Sequence, residues 1–211
     1  MSITRRNSLK LAGTAALGAA MLPASTAILK SAALAEDGPQ LMEGEQFLGN
    51  KDASVKIFEY ASLTCGHCAA FHDKTWPAIK EKYVDTGKVM FVIRNFPFDP
   101  RAFAGAMLAK CADPQFYYPM MDVLFTQQRT WAGAQDPRPP LLQIAKLAGF
   151  TQESFEACLK NQEVLDSVNA IKNEAADKFG VDATPTFFIN GEKHAGDMSV
   201  EEFSALIDKN L

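Results

Sequence analysis

Apolar and polar positions change their period several times along the chain. Val55 to Tyr60 alternates and is rich in β-branched and aromatic residues, which predicts a strand. Val89 to Phe96 contains the continuous apolar run Val89–Ile93, which suits a strand covered on both faces, and Pro97 and Pro100 end it. Between the two, helical spacing runs from about Cys65 to Val84, with Pro77 as a kink or interruption. From Arg101 to Phe179 the period is helical. Helices are expected over Ala102–Ala112, Tyr118–Gln128 and Leu141–Ala148, from a Thr151 cap to Leu159, and over Val164–Phe179, with Asp136–Pro140 as a loop. Strand signals return at Thr186–Ile189. Asn190-Gly191 is a hairpin turn pair with Glu192–Ala195 as its second arm, and Ser199-Val200-Glu201-Glu202 is a capping box opening a last helix to Asn210. Residues 36–54, broken by Gly44, Gly49, Asn50 and Asp52, read as irregular. The order predicts an α/β fold: a small sheet with a helical insertion at about 100–180, between its second and third sheet regions.

Composition places the chain among globular proteins. Its 211 residues are 47% hydrophobic and 22% charged, which excludes a disordered, collagen-like or coiled-coil chain and allows one domain, or two small ones, with a sizeable core. The net charge of −4 is uneven. Residues 1–35 carry Arg5, Arg6, Lys10 and Lys30 and no acid, so the remainder holds 17 basic against 25 acidic side chains, a net −8. So acidic a body lacks the clustered cations that a nucleic acid requires.

The first 35 residues read as an export signal. A basic start is followed by the uncharged stretch Leu11–Leu29 and then by Ala33-Leu34-Ala35, a small-x-small cleavage site before Glu36. The alternative is an uncleaved anchor, since nineteen uncharged residues could just cross a bilayer, but Thr14, Pro23, Ser25 and Thr26 make the stretch weakly apolar. Thr4-Arg5-Arg6-Asn7-Ser8-Leu9-Lys10 resembles a twin-arginine signal, with Ser8 where such signals commonly have Phe; the general secretory route stays open. The expectation is a periplasmic bacterial protein spanning 36–211.

Export makes disulfides plausible among the four cysteines. Cys65 and Cys68 form a C-x-x-C, so the simplest pairing leaves Cys111 with Cys158; two separate buried thiols are the alternative. Cys65 follows a strand and opens a helix, where free N–H groups and the macrodipole favour an anion. A thiolate is the form that attacks disulfides. His67 could donate a hydrogen bond to it or place a positive charge beside it. A stabilised thiolate is a good leaving group, which makes the Cys65–Cys68 disulfide an oxidant and Cys68, a turn deeper, the resolving thiol.

Cys65-Gly66-His67-Cys68, the helical insertion and the Thr184-Pro185 step together resemble DsbA-type thiol:disulfide oxidoreductases of the thioredoxin superfamily, over nearly all of 41–211. The resemblance implies a thioredoxin-like fold, a cis Pro185 facing the C-x-x-C, and Thr184 presenting its backbone to the substrate chain. It implies a buried acid at Glu59 that shuttles the Cys68 proton; an exposed strand carboxylate is the other reading of Glu59. Cys111 and Cys158 resemble the second, structural disulfide of some relatives. The partners implied are reduced, unfolded exported proteins and a quinone-linked membrane oxidase, with no bound cofactor. Gly-His between the cysteines and Thr before the proline also occur in isomerases. Those usually carry an N-terminal oligomerisation segment, and only about fifteen residues precede the first sheet-like region here, so a monomeric oxidase is expected.

Other readings stand beside this one. Cys65, His67, Cys68 and His72 are close enough in sequence to suggest zinc, but one helix turn gives poor tetrahedral geometry and no second C-x-x-C is present, so no metal is expected. His72 and His194 read as ordinary surface or packing residues. Phe96, Phe98, Phe103, Phe116, Tyr117 and Tyr118 read as core, or as the edge of an apolar groove, and Lys80-Glu81-Lys82 as a solvated face. A binding module with a structural C-x-x-C staple is the reading from a different class.

Overall fold

The computed structural model describes residues 38–211; the expected leader at 1–35 and its cleavage site lie outside them. Five strands form one sheet: β1 (Leu48–Gly49), β2 (Val55–Ala61), β3 (Val89–Asn95), β4 (Thr186–Ile189) and β5 (Glu192–Ala195), in the order β1-β3-β2-β4-β5. β2 and β3 are parallel and the other pairs antiparallel. β1 was not expected. It lies in the stretch read as irregular, and Gly49 shapes it: with φ at +83°, a Cβ there would sit 2.0 Å from the Val89 carbonyl oxygen.

The predicted alternation of β2 gives way to a strand buried on both sides from Ile57 to Ala61. The reason is a core on each face. Ile57 and Ala61 join Phe91, Ile93 and Phe187 in the larger cluster, while Phe58 and Tyr60 join Met90, Val92 and Phe188 in the smaller one. β5, at the sheet edge, is mostly exposed and carries Glu192 and Lys193, charges that oppose pairing with another strand.

The single helix expected from Cys65 to Val84 is three pieces: α1 (Gly66–Lys74), α2 (Trp76–Ile79) and a π-helical turn over Lys80–Val84. Pro77 sits in the first turn of α2, where its missing N–H costs nothing. Between β3 and β4 run α3 (Pro100–Cys111), α4 (Tyr117–Thr126), α5 (Gln128–Trp131), α6 (Arg138–Leu147), α7 (Gln152–Leu159) and α8 (Gln162–Phe179). The expected loop at Asp136–Pro140 is shorter, because Pro139 and Pro140 are absorbed into the first turn of α6. α9 (Val200–Asp208) opens with the Ser199–Glu202 capping box. None of the described helices is long and apolar enough to cross a membrane.

Candidate active site

The parallel β2–β3 pair ends at Ala61 and Asn95, and the Ser62-Leu63-Thr64 loop carries the chain from β2 to Cys65. Two outside groups hold this loop. Gln128 Nε2 on α5 donates to the carbonyls of Leu63 (3.0 Å) and Cys65 (2.9 Å). Thr64 Oγ1 donates to Asp99 Oδ2, while Asp99 Oδ1 caps α3 by accepting from the Arg101 and Ala102 amides. Neither Gln128 nor Asp99 was singled out by sequence. The capping pattern Asp99-Pro100 was readable; a lone Gln in a helix carries no signal.

Cys65 is the N-cap of α1, in extended conformation. Thr186 pairs with Tyr60 across the β2–β4 ladder, which brings the cis Thr184–Pro185 bond to the C-x-x-C. Cys65 Sγ donates to the Thr184 carbonyl at 3.3 Å. Both Cys65 and Cys68 are free thiols here, Cys65 half-buried and Cys68 fully buried.

Their proton affinities are driven apart. The Cys68 thiol donates to Cys65 and is the main reason that the Cys65 pKa falls to about 5; burial opposes this, and Thr184 and the Cys68 and His67 amides add to it. Cys68 moves the other way, far above the usual thiol range. Burial is the largest cause, followed by its bond to Cys65 and by the charge of Glu59.

Glu59 is fully buried, on the β2 side that faces the larger cluster, so the exposed-carboxylate alternative is excluded. His67 differs from expectation. Its ring is solvent-exposed and lies 3.5 Å from Asp197, so the amide of His67, not its ring, reaches the Cys65 sulfur. Of the surface and packing readings of His72 the second holds: it is buried against Glu59. His194 is partly covered on β5, 3.7 Å from Glu192. Of the aromatic set, Phe96 and Tyr118 are buried, whereas Phe98 is 53% exposed.

Cys111 and Cys158 are joined by a disulfide that ties α3 to α7. Among the described residues no group of three or more His, Cys, Asp or Glu side chains is arranged to hold a metal ion. A cavity of about 460 Å³ lies between residues 42–46, the end of β3, α3 and α8, and contains none of the C-x-x-C residues. Cys65 instead lies half-buried beside the Thr184–Pro185 bond, with Cys68 fully buried behind it.

A family profile described as thioredoxin matches residues 42–209. The structure of α-DsbA1 from Wolbachia pipientis superposes with a TM-score of 0.74 at 34% identity, over 80% of this chain and 92% of that one. The chain is a DsbA-type member of the thioredoxin superfamily. A Rickettsia conorii protein named as a protein-disulfide oxidoreductase is 34% identical over 170 residues, 80% of this chain but 61% of the relative, so this chain spans about three fifths of that relative's length. Chlamydia trachomatis DsbA, at 20% identity and a TM-score of 0.69, has the same fold.

Proposed function

We propose that this DsbA-type chain is a periplasmic thiol:disulfide oxidoreductase that donates disulfides to exported proteins through Cys65-Gly66-His67-Cys68. One observation carries the reading. Cys65 sits at the start of α1 within reach of the Cys68 thiol and of the Cys68 and His67 amides, which pull its pKa down to about 5, while burial pushes that of Cys68 far up. A stable Cys65 thiolate favours the dithiol, so the disulfide form is a strong oxidant.

In the forward direction a substrate thiolate attacks Cys65 Sγ, the Cys65–Cys68 bond breaks, and its electron pair goes to Cys68, which takes a proton. A second substrate thiolate then attacks the substrate sulfur of the mixed disulfide and Cys65 leaves as thiolate. The substrate loses two electrons and the C-x-x-C gains them. The family resemblance supports Pro185 and Thr184 as the edge that aligns the substrate chain, Glu59 as the acid that shuttles the Cys68 proton, and a quinone-linked membrane oxidase as the reoxidant. The basic, uncharged and small-residue succession of residues 1–35 supports a cleaved, twin-arginine-like signal and export.

The test is the reduction potential of Glu36–Leu211 in glutathione buffers, with zinc assayed alongside. A value above about −180 mV supports a disulfide donor or isomerase; one near thioredoxin's, about −270 mV, means a reductase. Scrambled-substrate refolding then separates donor from isomerase. Cys65→Ser should abolish exchange and Cys68→Ser should accumulate mixed disulfides. Full activity in Cys65→Ser, or a zinc-loaded protein without a redox cycle, rejects the proposal.

A further inference from the structure

The exchange steps leave one buried group unused. His72 follows Cys68 by four residues on α1, so the two lie on the same helix face, and it is nearly as buried as Glu59. His72 Nε2 lies 3.1 Å from Glu59 Oε1 and 3.0 Å from Oε2. No other hydrogen bond reaches the Glu59 carboxyl among the described residues. Among the described residues Nδ1 of His72 has no hydrogen-bond partner. The ring is walled by aromatics: it stacks on Phe125 with 4.0 Å between centroids and 5° between planes, and it meets Phe71 and Trp76.

One nitrogen with an acceptor and one without fix the state of this ring. An imidazolium would bury a second N–H with nothing to receive it. The neutral tautomer with its proton on Nε2 leaves only a lone pair unpaired and gives Glu59 a forked hydrogen bond. Both oxygens of a Glu59 carboxylate accept that N–H, whereas the neutral acid offers it only its carbonyl oxygen. The other ionisable groups facing the pair are Cys68 on α1, Tyr117, Tyr118 and Asp122 on α4, and Lys80, which faces Asp122 from beyond α2. Both tyrosines are held neutral by burial. β3 and β4 place Ile93 and Phe187 beside Glu59, and neither ionises.

We infer that His72 is a positioning residue for thiol exchange: it holds the Glu59 carboxyl by both oxygens, ready to give a proton to Cys68 or take one back. This rests on the proposed oxidoreductase reading. When the Cys65–Cys68 bond breaks, its electron pair stays on Cys68 Sγ and the Glu59 proton moves to that sulfur. In the reverse step Cys68 Sγ–H returns the proton to the Glu59 carboxylate. The freed electron pair forms the Cys65–Cys68 bond, and the substrate sulfur leaves as thiolate.

The test compares four variants. His72→Phe keeps the stacked ring and removes both nitrogens. His72→Gln offers an amide donor in their place. Glu59→Gln and the double variant with His72→Phe complete a cycle. Infrared spectra of the reduced proteins at pH 7 read the carbonyl stretch of a protonated, buried carboxylic acid, with no turnover needed. The band is expected to be absent in wild type and His72→Gln, present in His72→Phe, and gone in the double variant. Release of glutathione from a Cys65–glutathione mixed disulfide requires Cys68 to lose its proton. It should slow about tenfold in His72→Phe, less than the loss for removing an acid–base group itself, with its pH profile displaced upward. His72→Gln should recover the rate, and the double variant should be no slower than Glu59→Gln.

No new band in His72→Phe, or slowing that adds to that of Glu59→Gln, overturns the inference. If His72→Phe does not fold, nitrogen NMR of the wild-type imidazole decides: a proton on Nε2 supports the inference and one on Nδ1 overturns it. If wild type fails to exchange with glutathione, the oxidoreductase reading falls, while the infrared band still decides whether His72 sets the state of Glu59.

Discussion

A thiol at the cap of a helix and a thiol one turn inside it meet opposite surroundings, and the chemistry follows from that difference. Folding lowers the Cys65 pKa to about 5, so ionisation favours the folded dithiol; that contribution is complete above the range of an unfolded thiol and disappears as pH falls through about 5. The same ionisation sets how many protons accompany the two electrons. Reduction should consume two protons below the Cys65 pKa and one above it, so the potential should fall by about 59 mV per pH unit in acid and about 30 mV per unit near neutrality. Glutathione equilibration at a series of pH values reads both slopes; about 59 mV per unit through neutral pH would mean an ordinary, protonated Cys65. The C-x-x-C and Thr184-Pro185 were legible because spacing and proline are local signals. His72 was not, because nothing in α1 marks its face as buried. Gln128 and the turn of the His67 ring toward Asp197 depend on partners far along the chain.

Helix ends with chemical markers were legible in the sequence. Thr151 and Ser199 cap as expected, and Gly180 ends α8 in the left-handed conformation. The interruption expected at Pro77 is the split of α1 from α2, and it falls two residues earlier, at Thr75, because Pro77 takes the first turn of α2. The α3–α7 disulfide joins residues 47 apart. Removing it in Cys111→Ala/Cys158→Ala frees that loop in the unfolded chain and should cost about 4 kcal/mol in the chain-entropy model. Urea unfolding measures the loss. The potential of Cys65–Cys68 should not change, since neither bridge cysteine contributes to the Cys65 pKa.

At the scale of the whole molecule, the segment before β1 is strapped to the sheet by one cation. Arg94 is buried on β3 and bonds both oxygens of Glu45, the Tyr60 hydroxyl and the Gln40 carbonyl, with its guanidinium over Phe58. Arg94→Met would leave Glu45 without its counter-charge and should destabilise the fold by about 3–5 kcal/mol, read by denaturant midpoint, with the Cys65 titration unchanged. Sequence did not disclose this strap, since an Arg after an apolar run carries no local signal of burial or of a partner some fifty residues earlier.

The site also has a history along the chain. Cys65 and Thr184 are 119 residues apart, and they meet only after α3 to α8 have folded back to let β4 pair with β2. Closing so long a loop is a late event on entropic grounds. A helix of nine residues is marginal by itself, so until the sheet assembles neither α1 nor the Cys68 thiol is held against Cys65, which should behave as a plain thiol. A chain in transit thus carries its reactive sulfur in an unreactive state, among three other cysteines that it could otherwise join wrongly. Alkylation by iodoacetamide near pH 6 should label Cys65 quickly in the folded protein and slowly in urea, the reverse of what unfolding does to a buried thiol such as Cys68.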